Sequence, residues 1–213
     1  MEEEKLNKPD LDAGNHIKDN GKGKAIFKDV LLYLHDLVYL LGFGLLILLL
    51  CFKIVIVSGS SMKDTLIDGD YLLLLGNAFY QNPQCGDIIV ASKDAYENGT
   101  PIVKRVIATE GQTVDIDFLS GTVLIDGSVL HEPYVSSAMI HEGVAFPLTM
   151  EEGCLFVMGD NRFVSQDSRS PAIGQIDKRE ILGKAVFLFL PGTDEGNVRR
   201  DFSRIGGIVS GTR

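Results

Sequence analysis

Residues 37–57 read LVYLLGFGLLILLLCFKIVIV and contain a single charge, Lys53. An apolar stretch of about 20 residues is long enough to cross a hydrocarbon core of about 30 Å as a helix. A cleaved signal peptide has a shorter apolar core and a small-residue cleavage site, and it lies nearer the N-terminus. We therefore predict one membrane helix over residues 31–52. The alternative is a buried helix of a soluble core.

The charges on either side of this run predict its orientation. Lysines are frequent before the run and sparse after it, namely Lys18, Lys22, Lys24 and Lys28 against Lys53 and Lys63. Cytoplasmic flanks carry the excess of lysine and arginine. We therefore expect a single-pass protein of the cell membrane, with a cytoplasmic polar tail at residues 1–30, an extracytoplasmic domain at 53–192 and a C-terminal tail at 193–213. The first 24 residues are polar, and we expect them and the C-terminal tail to be disordered.

Composition narrows the class of protein. Hydrophobic residues make up 45% and charged residues 23%, which is typical of a globular chain. The net charge of −9 argues against a nucleic-acid partner, because phosphate contacts need clustered lysine and arginine. The three cysteines, Cys51, Cys85 and Cys154, form no CxxC pair, so no zinc site is predicted. For Cys85 and Cys154 we expect buried thiols, the alternative being a disulfide between them.

Short stretches of alternating apolar residues dominate the chain after residue 53. Such stretches are typical of β-strands, and they lie at 53–57, 71–75, 87–92, 101–108, 113–118, 122–130, 154–159 and 184–190. The pair Asp126-Gly127 suits the type I′ turn of a hairpin. Outside the membrane helix we find no amphipathic helical pattern of ten or more residues. We therefore predict a mainly β domain with a coiled or barrel-like sheet, anchored by one N-terminal transmembrane helix.

The segment SGSSMKDTL, residues 58–66, directly follows the apolar run. A serine held on a tight turn can act as a nucleophile if a base lies nearby. Lys104 in PIVKRVIA is a candidate base, because strand alternation places it on one face with Ile102, Val106 and Ala108. Burial of that face would penalise the ammonium and lower the pKa of Lys104, and repulsion from Arg105 would act in the same direction.

The pattern alone leaves two other interpretations open. Lys104 could extend from a strand edge into water. A serine could instead use a histidine as its base, and His131 and His141 are the histidines that follow the membrane region. In a Ser–Lys pair, the hydroxyl attacks, the neutral amine accepts its proton, and backbone N–H groups stabilise the oxyanion.

Seven motifs occur in order through this region: SGSSM…TL at 58–66, GD at 69–70, GDIIV at 86–90, VKRVIA…G…V at 103–114, DG…L.EPYV at 126–135, FVMGDNR…S.DSR at 156–169 and GKAVF at 183–187. Together they resemble the type I signal peptidases of bacteria, membrane-bound enzymes that cut signal peptides from exported proteins. Each motif alone is weak, but the Ser-Met, Lys-Arg and GDNR motifs in this order behind a membrane helix are highly specific. The single helix and compact domain are similar to the Gram-positive form.

The resemblance implies a role for each matching residue. Ser61, which precedes the methionine, would be the nucleophile, Lys104 the general base, and Ser165 the serine that hydrogen-bonds and orients the lysine. Met62 would pack beside the nucleophile. Gly59 would admit the substrate closely and leave the oxyanion to the Ser61 N–H and a second donor. Asp160, Arg162, Asp167 and Arg169 would brace the site structurally, Asn161 and Ser168 would complete the same loop, and Arg105 would support the site.

The resemblance also implies a β-rich endopeptidase that needs no metal and no cofactor. Its partners would be secretory preproteins, cut after small residues such as alanine, and membrane lipid, with a monomer as the expected state. An extended substrate would pair with a strand at 53–57 or 87–92. Asp64 stands where the family commonly has proline, so we expect a less rigid turn there.

Two further functions compete with this interpretation. Self-cleaving proteases such as the SOS-response repressors share the Ser–Lys logic, but they lack a membrane helix and carry a soluble partner domain, for which residues 1–24 are too polar. An anchored β-domain could also be a binding or assembly factor without catalysis. Inactive relatives of that kind would lose the serine or the lysine, and this chain has both.

Overall fold

A computed structural model of the chain describes residues 19–94, 96–141, 143–193 and 199–209, with side chains from residue 26 onward. The chain divides into two compact units at Leu48 and Leu49. Most of the polar N-terminal tail, residues 1–18, lies outside the described residues, and so do residues 210–213.

The described part of the first unit belongs to helix α1, Asp19–Cys51, whose last three residues lie in the second unit. The predicted helix is therefore present, but it begins at Asp19, so the expectation of disorder is wrong for residues 19–24. Its part from Ile26 to Cys51 has a mean hydropathy of 2.2, and none of its most apolar stretch is buried against the described chain. A helix that is apolar on all sides needs an apolar surrounding. This exposure favours a membrane span over a core helix.

The second unit is mainly β, as predicted. The described residues form β1 Phe52–Ile56, β2 Tyr71–Gly76, β3 Ile88–Ala91, β4 Ile102–Ala108, β5 Thr113–Asp117, β6 Thr122–Ile125, β7 Ser128–Val129, β8 Leu148–Thr149, β9 Cys154–Met158, β10 Ile176–Asp177, β11 Ile181–Leu190 and β12 Gly206–Gly207. The larger sheet has the order β1-β2-β11-β3-β4-β9-β10, with β12 paired to β11, and the smaller sheet has the order β7-β6-β5-β8. Register shifts in β4 and β11 bend the larger sheet into a curl.

The sequence located the longer strands correctly. The hairpin between β6 and β7 turns at Asp126 and Gly127, which have φ of 51° and 78°. Two successive positive φ values are what a type I′ turn requires. The two-residue strands β8, β10 and β12 were not predicted, because a pair of residues carries no periodic pattern.

Three hydrophobic clusters form the core, and β4 contributes to all of them. Ile102 and Val106 belong to one cluster, Val103 to a second, and Ile107 and Ala108 to the third. The predicted alternation is wrong at Ala108, which packs with Ile107. The reason is the register shift between Val106 and Ala108 where β4 pairs with β9.

The C-terminal tail is ordered over part of its length, so the expectation of disorder is wrong for residues 199–209. Leu188 of β11 pairs with Gly206 of β12. The N–H of Ile208 donates to the Val186 carbonyl at 3.0 Å, and its side chain packs on the core cluster that contains Met62.

Candidate active site

The loop between β1 and β2 holds the serine segment. Two bonds close it at its base: Val57 N donates to Asp70 O at 2.9 Å, and Gly69 N donates to Val57 O at 2.9 Å. Inside it, Leu66 N donates to Met62 O at 2.8 Å, which makes one helical turn directly after Ser61. Met62 and Leu66 are each 1% exposed. Burial of these two side chains fixes the turn to the core and holds Ser61 half-buried at its start.

Lys104 meets this serine. Its Nζ donates to the Ser61 Oγ at 2.8 Å. Lys104 lies on β4, between β3 and β9 in the sheet, and is 5% exposed. The interpretation of Lys104 as an edge lysine that reaches into water is therefore wrong.

Neither histidine takes this place in the described part of the chain. The ring of His141 packs edge-on against Phe118, with centroids 4.7 Å apart, and its Nδ1 accepts from the Gly143 N–H at 3.2 Å. His131 is exposed. The geometry thus favours the lysine over either histidine as the partner of Ser61.

Ser165 is brought close to the serine turn. It is 1% exposed, and its Oγ makes no hydrogen bond to any described residue, so the bond to Lys104 that the resemblance implies is not formed here. The close approach is visible at Gly159, where an added Cβ would lie 2.2 Å from the Ser165 Oγ and 2.4 Å from the Ser61 carbonyl oxygen. Ser165 therefore borders the site, and its role stays a prediction.

The backbone before Ser61 limits which groups could bind an oxyanion. Gly59 has a φ of 87°, a conformation that favours glycine, and an added Cβ there would meet nothing within 4 Å. Its N–H already donates to Asp68 Oδ1 at 2.8 Å. The Ser61 N–H donates to no described residue. The Ser61 N–H is thus available as a donor at this point, and its role toward an oxyanion stays a prediction.

At Asp64 the backbone has a conformation that proline would not give. Its φ of 81° lies in the left-handed region, which proline cannot adopt because its ring fixes φ near −65°. Its carboxylate accepts a hydrogen bond from the Ser136 hydroxyl. The turn therefore has a conformation that proline could not give and a tether of its own, and the expectation of a less rigid turn stays a prediction.

A buried ion pair connects the serine turn to the lysine strand. Arg105 donates from Nε and Nη2 to the two carboxylate oxygens of Asp160, at 2.8 and 2.6 Å, and both side chains are almost fully buried. The Thr65 hydroxyl donates to the same carboxylate at 2.6 Å. Asp160 therefore joins the turn of Ser61 to the neighbour of Lys104. It also compensates the charge of Arg105, and this offsets the repulsion between Arg105 and the Lys104 ammonium that the sequence suggested.

The loop of residues 159–169 is built around buried charges. Arg169 donates from Nε and Nη2 to Asp167, each bond at 2.8 Å, and Asp167 also accepts the Gly159 N–H at 3.0 Å. Arg169 Nη1 donates to the Arg162 carbonyl at 2.9 Å. Ser168 fastens the loop to β9, because its Oγ accepts the Val157 N–H at 3.0 Å.

Asn161 attaches this loop to the serine turn. Its N–H donates to the Ser61 carbonyl at 3.0 Å, and its side-chain amide donates to the Ser60 carbonyl at 3.2 Å. All the residues predicted to brace the site therefore lie in one contiguous network around Ser61 and Lys104.

Three further residues of this network were given no role from the sequence: Thr65, Glu132 and Tyr134. Glu132 pairs with the guanidinium of the buried Arg162. The Tyr134 ring lies 3.9 Å below the guanidinium carbon of Arg105, and burial raises the pKa of its hydroxyl, with the Glu132 charge acting in the same direction. The EPYV motif that contains Glu132 and Tyr134 was the signal that could have found them.

A cleft of about 520 Å³ opens at the Ser–Lys pair. Val55 and Ile56 of β1 and Ile102 and Val103 of β4 line it. On one side, the Tyr96 hydroxyl donates to Gln166 Oε1 at 2.7 Å. Among the described strands β1 is an edge strand, whereas β3 is paired on both sides, by β11 and β4. The predicted substrate pairing with residues 87–92 is therefore wrong, because β3 has no open edge.

A mainly β domain in which a serine hydroxyl meets a buried lysine amine has the arrangement of a serine hydrolase that uses lysine in place of histidine. A family model described as signal peptidase, peptidase S26, matches residues 30–190. The chain belongs to this family and is a peptidase, hence a hydrolase. The alternative of a binding factor without catalysis is thereby wrong.

The similar proteins include signal peptidase I of Bacillus licheniformis, 33% identical over 183 residues, which are 82% of this chain and 94% of that protein. Signal peptidase I T of Bacillus subtilis is 34% identical over 178 residues, 79% of this chain and 84% of that protein. A solved signal peptidase I of Enterococcus faecalis is 31% identical, with a TM-score of 0.40, and the match covers 49% of this chain and 97% of that one.

Proposed function

We propose that this chain is a membrane-anchored endopeptidase that uses a Ser–Lys dyad to remove N-terminal signal peptides from exported preproteins. The observation that supports this most directly is the 2.8 Å contact between Lys104 Nζ and Ser61 Oγ at the cleft. The relatives named signal peptidase I support the substrate class.

The proposed mechanism begins with a neutral Lys104. Burial favours the neutral amine, because desolvation penalises the ammonium. The amine takes the proton of the Ser61 hydroxyl while the oxygen attacks the carbonyl carbon of the scissile bond. The Ser61 N–H donates to the developing oxyanion, together with a second donor. Lys104 then gives its proton to the leaving amine, which leaves an acyl-enzyme on Ser61.

Hydrolysis of the acyl-enzyme completes the cycle. The amine of Lys104 is neutral again once the leaving group has taken the proton. It can therefore accept a proton from water as the water attacks the ester carbonyl. Ser61 regains its proton from Lys104 as the product carboxylate departs. The bracing residues hold this geometry through both steps, since Asp160 and Asn161 fix the turn of Ser61 from the side of the lysine strand.

The cleft supports an extended substrate with small side chains near the cut. The open edge of β1 can receive a substrate strand, with main-chain bonds giving affinity and side-chain pockets giving specificity. Val55 and Ile56 belong to this strand, and Val103 faces the same cleft. These aliphatic walls favour alanine and similar residues, because larger side chains would clash with them.

The anchor and its orientation are part of the proposal. Helix α1 supplies an apolar span that lipid would surround, and the lysines lie mostly on its N-terminal side. This distribution supports a cytoplasmic N-terminus and an extracytoplasmic catalytic unit. The test is to incubate a detergent-solubilised precursor with the wild-type chain and with Ser61→Ala, and to sequence the new N-terminus. We expect one cut after a small residue with the wild type alone. Equal cleavage by Ser61→Ala would overturn the proposal.

A further inference from the structure

The C-terminal segment 199–209 lies beyond the region that the family model matches, yet one of its side chains contacts the serine loop. Arg204 donates from Nη1 and Nη2 to the two carboxylate oxygens of Asp70, at 2.8 and 2.7 Å. Its Nη2 also lies 3.4 Å from the Thr65 carbonyl oxygen. We propose that Arg204 is a positioning residue for the turn that carries the nucleophile. This inference rests on the proposed function of Ser61.

The carboxylate that Arg204 binds closes the serine loop. Asp70 is fully buried, and it also accepts the N–H groups of Ile67 at 2.8 Å and Gly192 at 2.7 Å. Its own carbonyl accepts the Val57 N–H that closes the loop. A buried carboxylate needs a compensating charge, and Arg204 supplies it through a bidentate ion pair. Loss of Arg204 would leave that charge uncompensated at the base of the loop.

Thr65 is held on two sides. Arg204 contacts its carbonyl oxygen, and Asp160 accepts a hydrogen bond from its hydroxyl at 2.6 Å. Asp160 in turn binds Arg105, the neighbour of Lys104. The turn from Ser61 to Leu66 is therefore fixed between the lysine strand and the C-terminal segment. Arg204 is the support that the C-terminal segment provides.

The segment itself is anchored, so Arg204 has a defined position. The pairing of β12 with β11 follows Arg204 directly, and the side chain of Ile208 packs on the core. Before Arg204, the carboxylate of Asp201 accepts the N–H of Ser203 at 3.0 Å and caps a short 3₁₀ turn at Phe202–Arg204. Arg200 Nη1 donates to the Pro191 carbonyl at 2.6 Å.

This placement predicts a specific kinetic defect. Arg204 does not line the cleft at Ser61, whose described lining residues lie between Val55 and Gln166. Substrate binding should therefore survive its loss. The Ser61 hydroxyl would move relative to Lys104, and a misplacement of about 1 Å can cost about 100-fold in rate. Arg204 should thus affect kcat rather than KM.

The test compares Arg204→Gln and Arg204→Lys in the full-length, detergent-solubilised chain. Arg179→Gln is the matched control, because Arg179 makes an exposed ion pair with Asp177 and, among the described residues, no hydrogen bond to the serine loop. For each variant, kcat and KM are measured on a signal-peptide-bearing precursor at a temperature where circular dichroism shows a folded protein. We expect kcat of Arg204→Gln to fall about 10- to 100-fold with KM within about twofold of wild type. Arg204→Lys should recover most of the loss, and Arg179→Gln should match wild type.

A kcat for folded Arg204→Gln within about twofold of wild type would overturn the inference, and so would a loss that appears in KM alone. If Arg204→Gln does not fold, Asp201→Ala decides, because it removes the cap of the 3₁₀ turn that ends at Arg204 and leaves the arginine itself in place. Wild-type kcat in folded Asp201→Ala would then overturn the inference. A wild-type chain that leaves the precursor uncut would instead refute the proposed function.

Discussion

The Nζ of Lys104 lies 2.8 Å from the Oγ of Ser61, although 43 positions separate the two residues. Lys104 reaches this place from a central strand and Ser61 from the loop between β1 and β2, so the contact depends on the curl of the sheet. The buried hydrogen bonds from Arg105 and from Thr65 to Asp160 also connect the lysine strand to the serine loop. The Ser–Lys pair and the residues that brace it thus form one connected network.

The first prediction concerns which serine reacts. Ser61→Ala should abolish precursor cleavage, whereas Ser58→Ala and Ser60→Ala should keep substantial activity. The reason is that the hydroxyls of Ser58 and Ser60 make no hydrogen bond to the described residues, while that of Ser61 meets Lys104. The measurement is the cleavage rate of a precursor, with circular dichroism to show folding. A comparable loss in folded Ser60→Ala would reassign the nucleophile.

The second prediction concerns the close approach at Gly159. A Cβ at this position would lie 2.2 Å from the Ser165 Oγ and 2.4 Å from the Ser61 carbonyl oxygen. Gly159→Ala should therefore lower the free energy of unfolding by about 1–3 kcal/mol and reduce kcat, because the serine turn must shift. Gly206→Ala is the control, since an added Cβ there meets nothing within 4 Å. Denaturant unfolding and precursor cleavage measure the two effects, and an unchanged Gly159→Ala would contradict the packing described.

The third prediction concerns position 64, where this chain has aspartate and the resembling family commonly has proline. Asp64→Pro should lower the free energy of unfolding by more than about 1 kcal/mol and impair cleavage, because proline cannot adopt a φ of 81°. Asp64→Gly accepts that φ and should stay folded with activity close to wild type. Thermal unfolding of both variants is the measurement. A proline variant as stable as wild type would show that the turn has another conformation.

The fourth prediction concerns orientation. Leu119 is fully exposed in the β unit. In intact cells, Leu119→Cys should react with a membrane-impermeant thiol reagent, whereas a cysteine placed within residues 1–18 should react only after the cells are opened. The wild-type chain, with its three native cysteines, gives the background. Labelling in the reverse order would contradict the cytoplasmic N-terminus.

Local periodicity explains how much of the fold the sequence could predict. The alternation in β2, β4 and β11 is local, so strands were found where several residues repeat the pattern. The bulge that places Ala108 beside Ile107 depends on pairing with β9, about 50 residues away, and leaves no local trace. The order of the C-terminal segment likewise depends on Asp70, which is 134 positions from Arg204.

The candidate site, like the fold, was predictable from the sequence only in part. The apolar neighbours of Lys104 marked it as a candidate base, but the choice of Ser61 over Ser58 and Ser60 came from the resemblance. The supports of the turn were harder to find, because Thr65 and Arg204 act through contacts across the sequence. Ordinary threonine and arginine residues in polar segments give no sign of such contacts.

The most direct test of the account is the cleavage rate of Lys104→Arg on a signal-peptide-bearing precursor, with the product N-terminus sequenced. Arginine keeps the charge and much of the length of lysine, but it stays protonated and cannot accept the proton of Ser61. Lys178→Arg is the matched control, because Lys178 makes a partly exposed pair with Glu110. A folded Lys104→Arg should lose at least about 1,000-fold in rate, as Lys104→Ala should, while Lys178→Arg cleaves normally. Substantial cleavage by Lys104→Arg at the same site would contradict a Ser–Lys mechanism.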